Sequence, residues 1–386
     1  MRKNLLLMLL GSAHSLNHSL FLILPPLLGR VVVDIGASID VIGIIMTLSG
    51  LIYGTGALLG GSLSDRIGEG RIIALSLFFS GISTYALFIA QDIIAFGFGF
   101  LIMSAWASLY HPAANNLISK VFYEDMASKM GIHGVGGNVG FMLTPSIAVI
   151  LGISFSWRVP FLLFGSLSII TSIFFLGIQN NLGMRDSEEA KSDIKVASLL
   201  KNPDMRFILI FSVVSSLYAQ GVTLLLPLFL NEEKEISEIL AGHVASAILL
   251  IGIFGQYLGG KASAKIGSKM VLLLSSVGVS VALFSLLLIP YPIISIFMFI
   301  SVYGISVYMQ QPALTSVIGL RVPASLRGMA YGFLFFFGWL GSISTTVAGY
   351  LAEEHGLEFA FYILAIFSLI SLVLSLLIPS ESKRVI

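Results

Sequence analysis

The groups in this chain with the most chemical potential are histidines set inside apolar sequence. His14 and His18 lie four positions apart in NLLLMLLGSAHSLNHSLFLILPPLL, with Asn17 between them. Residues spaced i, i+3 and i+4 share one helical face, so all three project together. His111 stands between Tyr110 and Pro112, His133 lies in a glycine-rich run that contains Asn138, and His243 sits nearer the outer end of a later apolar stretch. Three chemistries are open to them. Imidazole changes charge near neutral pH and could carry a coupling proton. Neutral, it hydrogen-bonds and ties helices together. An i, i+4 pair can also chelate a metal, but no carboxylate accompanies this one, so neither a metal site nor a cofactor is expected.

A second set of polar and aromatic residues lies mid-segment in the later half: Tyr218 and Gln220, then Tyr303, Tyr308, Gln310 and Gln311, then Trp339. Tyr and Trp present an apolar face with one hydrogen bond, which suits a small amphipathic ligand. Every Asp, Glu, Lys and Arg can be placed in a loop, a tail or a segment end.

The scaffold that carries these groups is dictated by composition. The chain has 386 residues, 56% hydrophobic and 11% charged, with a mean hydropathy of +0.98. That is too little charge to cover a water-soluble surface, so the solvent for most of it is lipid. Cysteine is absent, which excludes disulfides and thiolate metal sites. Twelve segments are long and apolar enough to span a bilayer as helices: 4–28, 39–61, 71–91, 93–117, 130–152, 157–178, 206–230, 237–260, 269–289, 292–318, 328–351 and 357–378. The first is too long for a secretory signal and lacks a cleavage site of small residues.

With the N-terminus inside, the inner loops and tails carry 18 Lys and Arg and the outer side only three, Arg30, Arg158 and Lys234. This asymmetry sets the orientation and puts both termini in the cytoplasm. Residues 179–205 form the one long polar connector, dividing the chain into halves at 1–178 and 206–386.

The halves repeat. GGSLSDRIG at 60–68 returns as GGKASAKIG at 259–267, 199 positions on. His111-Pro112 falls opposite Gln311-Pro312, 200 apart, and Gly131 and Gly140 opposite Gly332 and Gly341, 201 apart. Only the first hairpin keeps an acid, Asp65, where the second has Ala264. A carboxylate there can accept from a helix N-terminus and pair with Arg71 or Arg327. Pro112 and the glycines at 131, 134, 136, 137 and 140 suit bending and close helix approach.

Twelve helices, a central connector and the residues Gly61, Leu63, Ser64, Asp65, Arg66, Gly68 and Arg71 resemble the major facilitator superfamily and its hairpin, although Glu69-Gly70 replaces the usual basic pair. A narrower resemblance is to its fosmidomycin-resistance branch. His14, Asn17 and His18 stand where that branch has H-x-x-N-D. Tyr110-His111-Pro112 and Gly136-Gly137-Asn138 with Gly140 keep its aromatic-His-Pro and G-G-N-x-G, and Gly328-Met329 with the glycines at 332, 338 and 341 agree as well. That branch holds proton-driven exporters, one of them conferring resistance to a phosphonate antibiotic. The resemblance implies that the hairpin latches the cytoplasmic side shut.

The expected protein is therefore an all-α membrane bundle of two six-helix halves, with a site near midplane between them. It contains no Walker motif or nucleophile constellation, so it is not expected to be an enzyme. Its expected work is alternating-access export of a small organic solute against protons, by a monomer in the multi-pass cell membrane of a prokaryote, with no nucleic acid involved. The alternatives are uptake of a small organic or inorganic anion, or a membrane sensor or scaffold that transports nothing.

Overall fold

The computed structural model describes residues 2–122, 126–179, 201–322 and 324–378. Most of the polar connector lies outside them. The described residues contain twelve helices or helix pairs of membrane-crossing length and composition. Four of these twelve are broken, where the sequence suggests continuous segments.

The first span is α1 (Arg2–Leu22), a 3₁₀ turn (Pro25–Leu27) and α2 (Leu28–Ile35). Pro25 and Pro26 donate no backbone hydrogen bond and end α1. The span therefore runs past residue 28 to Ile35, where Gly36 closes it with φ of 64°. Helices α3 (Ile39–Ile67) and α4 (Glu69–Ile89) come next. The fourth span is α5 (Ile93–Ala107), capped by Asp92 accepting from the Ala95 amide at 2.8 Å, and α6 (Tyr110–Val121). Pro112 sits in the first turn of α6, where a missing N–H costs nothing. The break thus falls at residues 108–109, and His111 is the second residue of α6. Helices α7 (Met126–Ser154) and α8 (Val159–Gln179) complete this run.

The second run begins with α9 (Pro203–Glu232), capped by Asn202, then α10 (Glu238–Ile266) and α11 (Ser268–Leu288). The tenth span is α12 (Pro292–Met298), a π-helical turn (Phe299–Tyr303) and α13 (Gly304–Arg321). Such a turn inserts one residue into a helix and re-aims the side chains beyond it. The eleventh is α14 (Ala324–Leu340) and α15 (Ile343–His355), longer at both ends than the apolar run and interrupted at Gly341-Ser342. Helix α16 (Leu357–Leu377) is last.

Spatial proximity divides the chain into two units, residues 1–189 with 237–246, and residues 190–236 with 247–386. The opening of α10 thus belongs with the first unit, where Glu238 pairs with Arg30 at 2.6 Å and His243 meets the Ser146 hydroxyl at 2.7 Å. The first core packs Leu10, Ile72, Leu77, Tyr110, Leu117 and Phe175, and the second packs Phe211, Leu272, Leu314, Val317 and Leu334. Phe98, Phe174, Phe254 and Val373 point outward, as lipid-facing side chains should. Small hydroxyls tie helices together inside each unit: Ser49 to Ser104 at 2.5 Å, Thr144 to Ser19 at 2.7 Å, Ser368 to Ser280 at 2.9 Å.

The repeat is visible in the packing of each unit. Gly68 and Gly267 end their hairpins with φ of 97° and 84°, a region that only glycine enters freely. A Cβ on Gly60 would lie 3.1 Å from Pro112, and one on Gly259 would lie 3.0 Å from Pro312. Gly140 presses on the Ser15 backbone, and Gly341 on that of Ser216, both partners 201 positions on.

Candidate binding site

The break in the fourth span delivers His111 to the histidines of α1. His14 is the hub. Its ring centroid lies 4.7 Å from that of His18, 4.8 Å from His111 and 4.2 Å from His133, on which it stacks. One ring nitrogen from each of His14, His18 and His111 lies within 4.8 Å of the other two. Phe141 stacks on His18 with ring centroids 4.1 Å apart.

Hydrogen bonds fix how the neutral rings are protonated. His14 Nδ1 is 2.8 Å from the His133 carbonyl oxygen, which can only accept, so that nitrogen carries the proton. His14 Nε2 is then the acceptor, and His18 Nε2, 2.9 Å away, donates to it. Tyr110 gives its hydroxyl proton to the Leu10 carbonyl at 2.6 Å and accepts from His133 Nε2 at 3.0 Å. Asn17 is held separately: its amide donates to the Ala107 carbonyl at 2.9 Å, and its oxygen accepts from Tyr53 at 2.7 Å. Ala107 is the last residue of α5, so Asn17 satisfies a carbonyl at the break.

The glycines of α7 make this possible. A Cβ on Gly137 would lie 2.5 Å from the His14 ring, and one on Gly136 would lie 2.5 Å from the Gly11 Cα. Glycine is required where α1 and α7 touch. Gly131 and Gly134, which the sequence groups with them, face open space and contribute nothing to this contact. Asn138 is half-buried on the same helix.

The second unit assembles a smaller cluster. Tyr218 and Gln310 are buried and hydrogen-bonded to each other at 2.7 and 2.9 Å. Tyr303, buried, stacks on Phe299 at 4.5 Å within the π turn. Tyr308 closes over Gly252. Gln220 and Trp339 are half-buried, Trp339 edge-on to Phe335 at 6.3 Å, whereas Gln311 is exposed. Of the hairpin residues, Arg66 and Arg71 are exposed and Gly68 makes the turn, while the side chains of Asp65 and Arg327 and the surroundings of Gly61 lie outside the described residues.

Sequence reasoning missed three features. Tyr53 was a hydroxyl in the middle of an apolar segment. Tyr110 stands in the sequence only as the aromatic of a motif. Glu69, seen as a departure from the hairpin pattern, is buried at the start of α4, where it accepts from Lys120 at 2.6 Å and Asn116 at 2.8 Å.

Among the described residues, twelve membrane-length helices, apolar outside and holding polar clusters within, are those of a multi-pass membrane protein. The Major Facilitator Superfamily profile matches residues 7–346, and the chain belongs to that superfamily. It is 24% identical over 341 residues to the cis,cis-muconate transport protein of Acinetobacter baylyi, covering 82% of this chain and 79% of that one. Among solved structures, a bacterial homologue of the human lysosomal transporter Spinster superposes with a TM-score of 0.84 at 15% identity, covering 98% of this chain and 97% of that one. The nucleoside transporter NupG superposes with a TM-score of 0.76 at 19% identity, covering 97% and 98%. At these identities the two structures speak to the fold alone.

Proposed function

We propose that the chain is a secondary active transporter that exports a small organic solute against protons by alternating access. The observation that carries this is the polar interior of each unit. The first offers imidazole, amide and phenol groups on spans 1, 2, 4 and 5, and the second offers Tyr218, Tyr303 and Gln310. Among the described residues no carboxylate, lysine or arginine joins either cluster. Such lining suits a ligand recognised by hydrogen bonds and apolar contact rather than by a fixed counter-ion. The breaks in spans 1, 4, 10 and 11 supply the bending points that a rocking transporter needs.

Export and proton coupling rest on the resemblance of Tyr110-His111-Pro112 and the Gly136–Gly140 run to a branch of proton-driven exporters. The 18-to-three distribution of Lys and Arg supports cytoplasmic termini, and the bacterial relatives support the cell membrane of a prokaryote. A second reading is uptake of an organic anion, favoured by the muconate relative. The test is a solute panel in inside-out vesicles with an imposed pH gradient. Export against protons predicts that at least one neutral or amphipathic solute accumulates and is released by a protonophore. Accumulation confined to organic anions in right-side-out vesicles favours the second reading, and no gradient-driven movement of any solute contradicts both.

A further inference from the structure

From the geometry of His14, His18 and His111 we infer a binding site for one first-row transition-metal dication. The sequence shows only a two-ligand pair on α1. The fold supplies the third imidazole, His111, by breaking the fourth span at residues 108–109. Three nitrogens within 4.8 Å of one another are close to what a metal needs. Zinc–nitrogen bonds of about 2.0–2.1 Å in tetrahedral geometry set ligand nitrogens about 3.4 Å apart. The His14–His18 separation of 2.9 Å must open slightly and the widest separation must close by roughly 1.4 Å, an adjustment for the His18 and His111 rings to make around a fixed His14.

A second observation points the same way. His14 donates from Nδ1 to the His133 carbonyl, which leaves Nε2 as its lone pair, aimed at His18. A backbone carbonyl on the far ring nitrogen is how metal-bound histidines are oriented and their basicity raised. The ring is also clamped against Gly137, which leaves it little room to turn away. On metal binding His18 shifts its proton from Nε2 to Nδ1, and the ion takes the place of that proton between the two rings. Nothing is oxidised or reduced. Three imidazoles without a carboxylate select zinc, cobalt, nickel or copper over magnesium or calcium, and a fourth position stays open to water or a small anion.

Such a site belongs to the resting protein and does not depend on the identity of the solute. The experiment is equilibrium dialysis of the full chain, purified with a histidine-free affinity tag, against Zn²⁺, followed by elemental analysis. A Co²⁺ titration in parallel reads coordination from the visible spectrum. One equivalent per chain is expected, with a tetrahedral Co²⁺ spectrum. His14→Gln, His18→Gln and His111→Gln should each weaken binding by at least about tenfold. His18→Asp, which restores a ligand, should recover it. His243→Gln and His355→Gln should bind as wild type. Folding of each variant is checked by size exclusion. Wild type taking up no metal, or losing it equally to the two control substitutions, overturns the site, as does a well-folded His14→Gln/His18→Gln/His111→Gln protein that keeps its equivalent.

Discussion

Replacing Gly137 with alanine tests whether the histidine cluster is held by the contact between α1 and α7. The new Cβ would lie 2.5 Å from His14 Cε1 and 2.7 Å from both ring nitrogens. Non-bonded carbon contacts settle near 3.5–4.0 Å, so the ring must withdraw by roughly 1 Å. That displacement breaks the 2.8 Å bond to the His133 carbonyl and the 2.9 Å bond to His18. Each is worth about 1 kcal/mol. Overpacking adds about 1–3 kcal/mol, and the gain of alanine over glycine in a helix returns up to about 1 kcal/mol. The net loss is about 2–5 kcal/mol. In a His14→Ala background the obstruction is gone, and the same substitution should be neutral or stabilising. Gly134→Ala, which faces open space, should behave like the background case. The assay is the unfolding midpoint of the four proteins of the cycle in one detergent. The same loss from Gly137→Ala with and without His14 would refute the reasoning, because no coupling would then exist between helix contact and imidazole.

Other perturbations draw on the same geometry. Glu69→Gln should destabilise the first unit by about 2 kcal/mol, since Lys120 loses a buried carboxylate. Arg30→Gln, which breaks a half-exposed pair with Glu238, should cost less than about 1 kcal/mol, and both are read from the same midpoints. Tyr53→Phe leaves the Asn17 oxygen without its donor and should cost about 1–2 kcal/mol. A wild-type midpoint there would show that the hydroxyl does not hold Asn17. Asp65→Asn should slow solute turnover several-fold while solute affinity stays near wild type, and unchanged turnover at normal expression removes the hairpin latch.

The twelve spans were legible because a bilayer leaves few ways to hide a backbone, and long apolar runs with basic loops report it directly. The repeat was legible for a similar reason: the hairpin glycines and the Pro112/Pro312 pair are constrained by backbone geometry at both sites. The helix breaks were harder. Pro112 announces a bend, but Pro25-Pro26 lies inside an apolar run that reads as one segment, and nothing local distinguishes the π turn at Phe299–Tyr303 from continuous helix. The partners of His14 were out of reach for the same reason. That His14 and His18 share a face comes from spacing alone, but that His111 and His133 reach that face depends on where the fourth span breaks and how closely α7 approaches. Gln310 and Gln311 make the limit plain: adjacent and chemically identical, one is buried against Tyr218 and the other faces outward.

Exchange of solute for protons stands or falls on internal pH in proteoliposomes of the purified protein. The pH is recorded as a transported solute from the vesicle panel is added outside. Solute entry by exchange should acidify the bath and alkalinise the lumen, at an initial rate that saturates with solute concentration and vanishes in empty liposomes. Saturable solute uptake with no change in internal pH would contradict the proposed coupling.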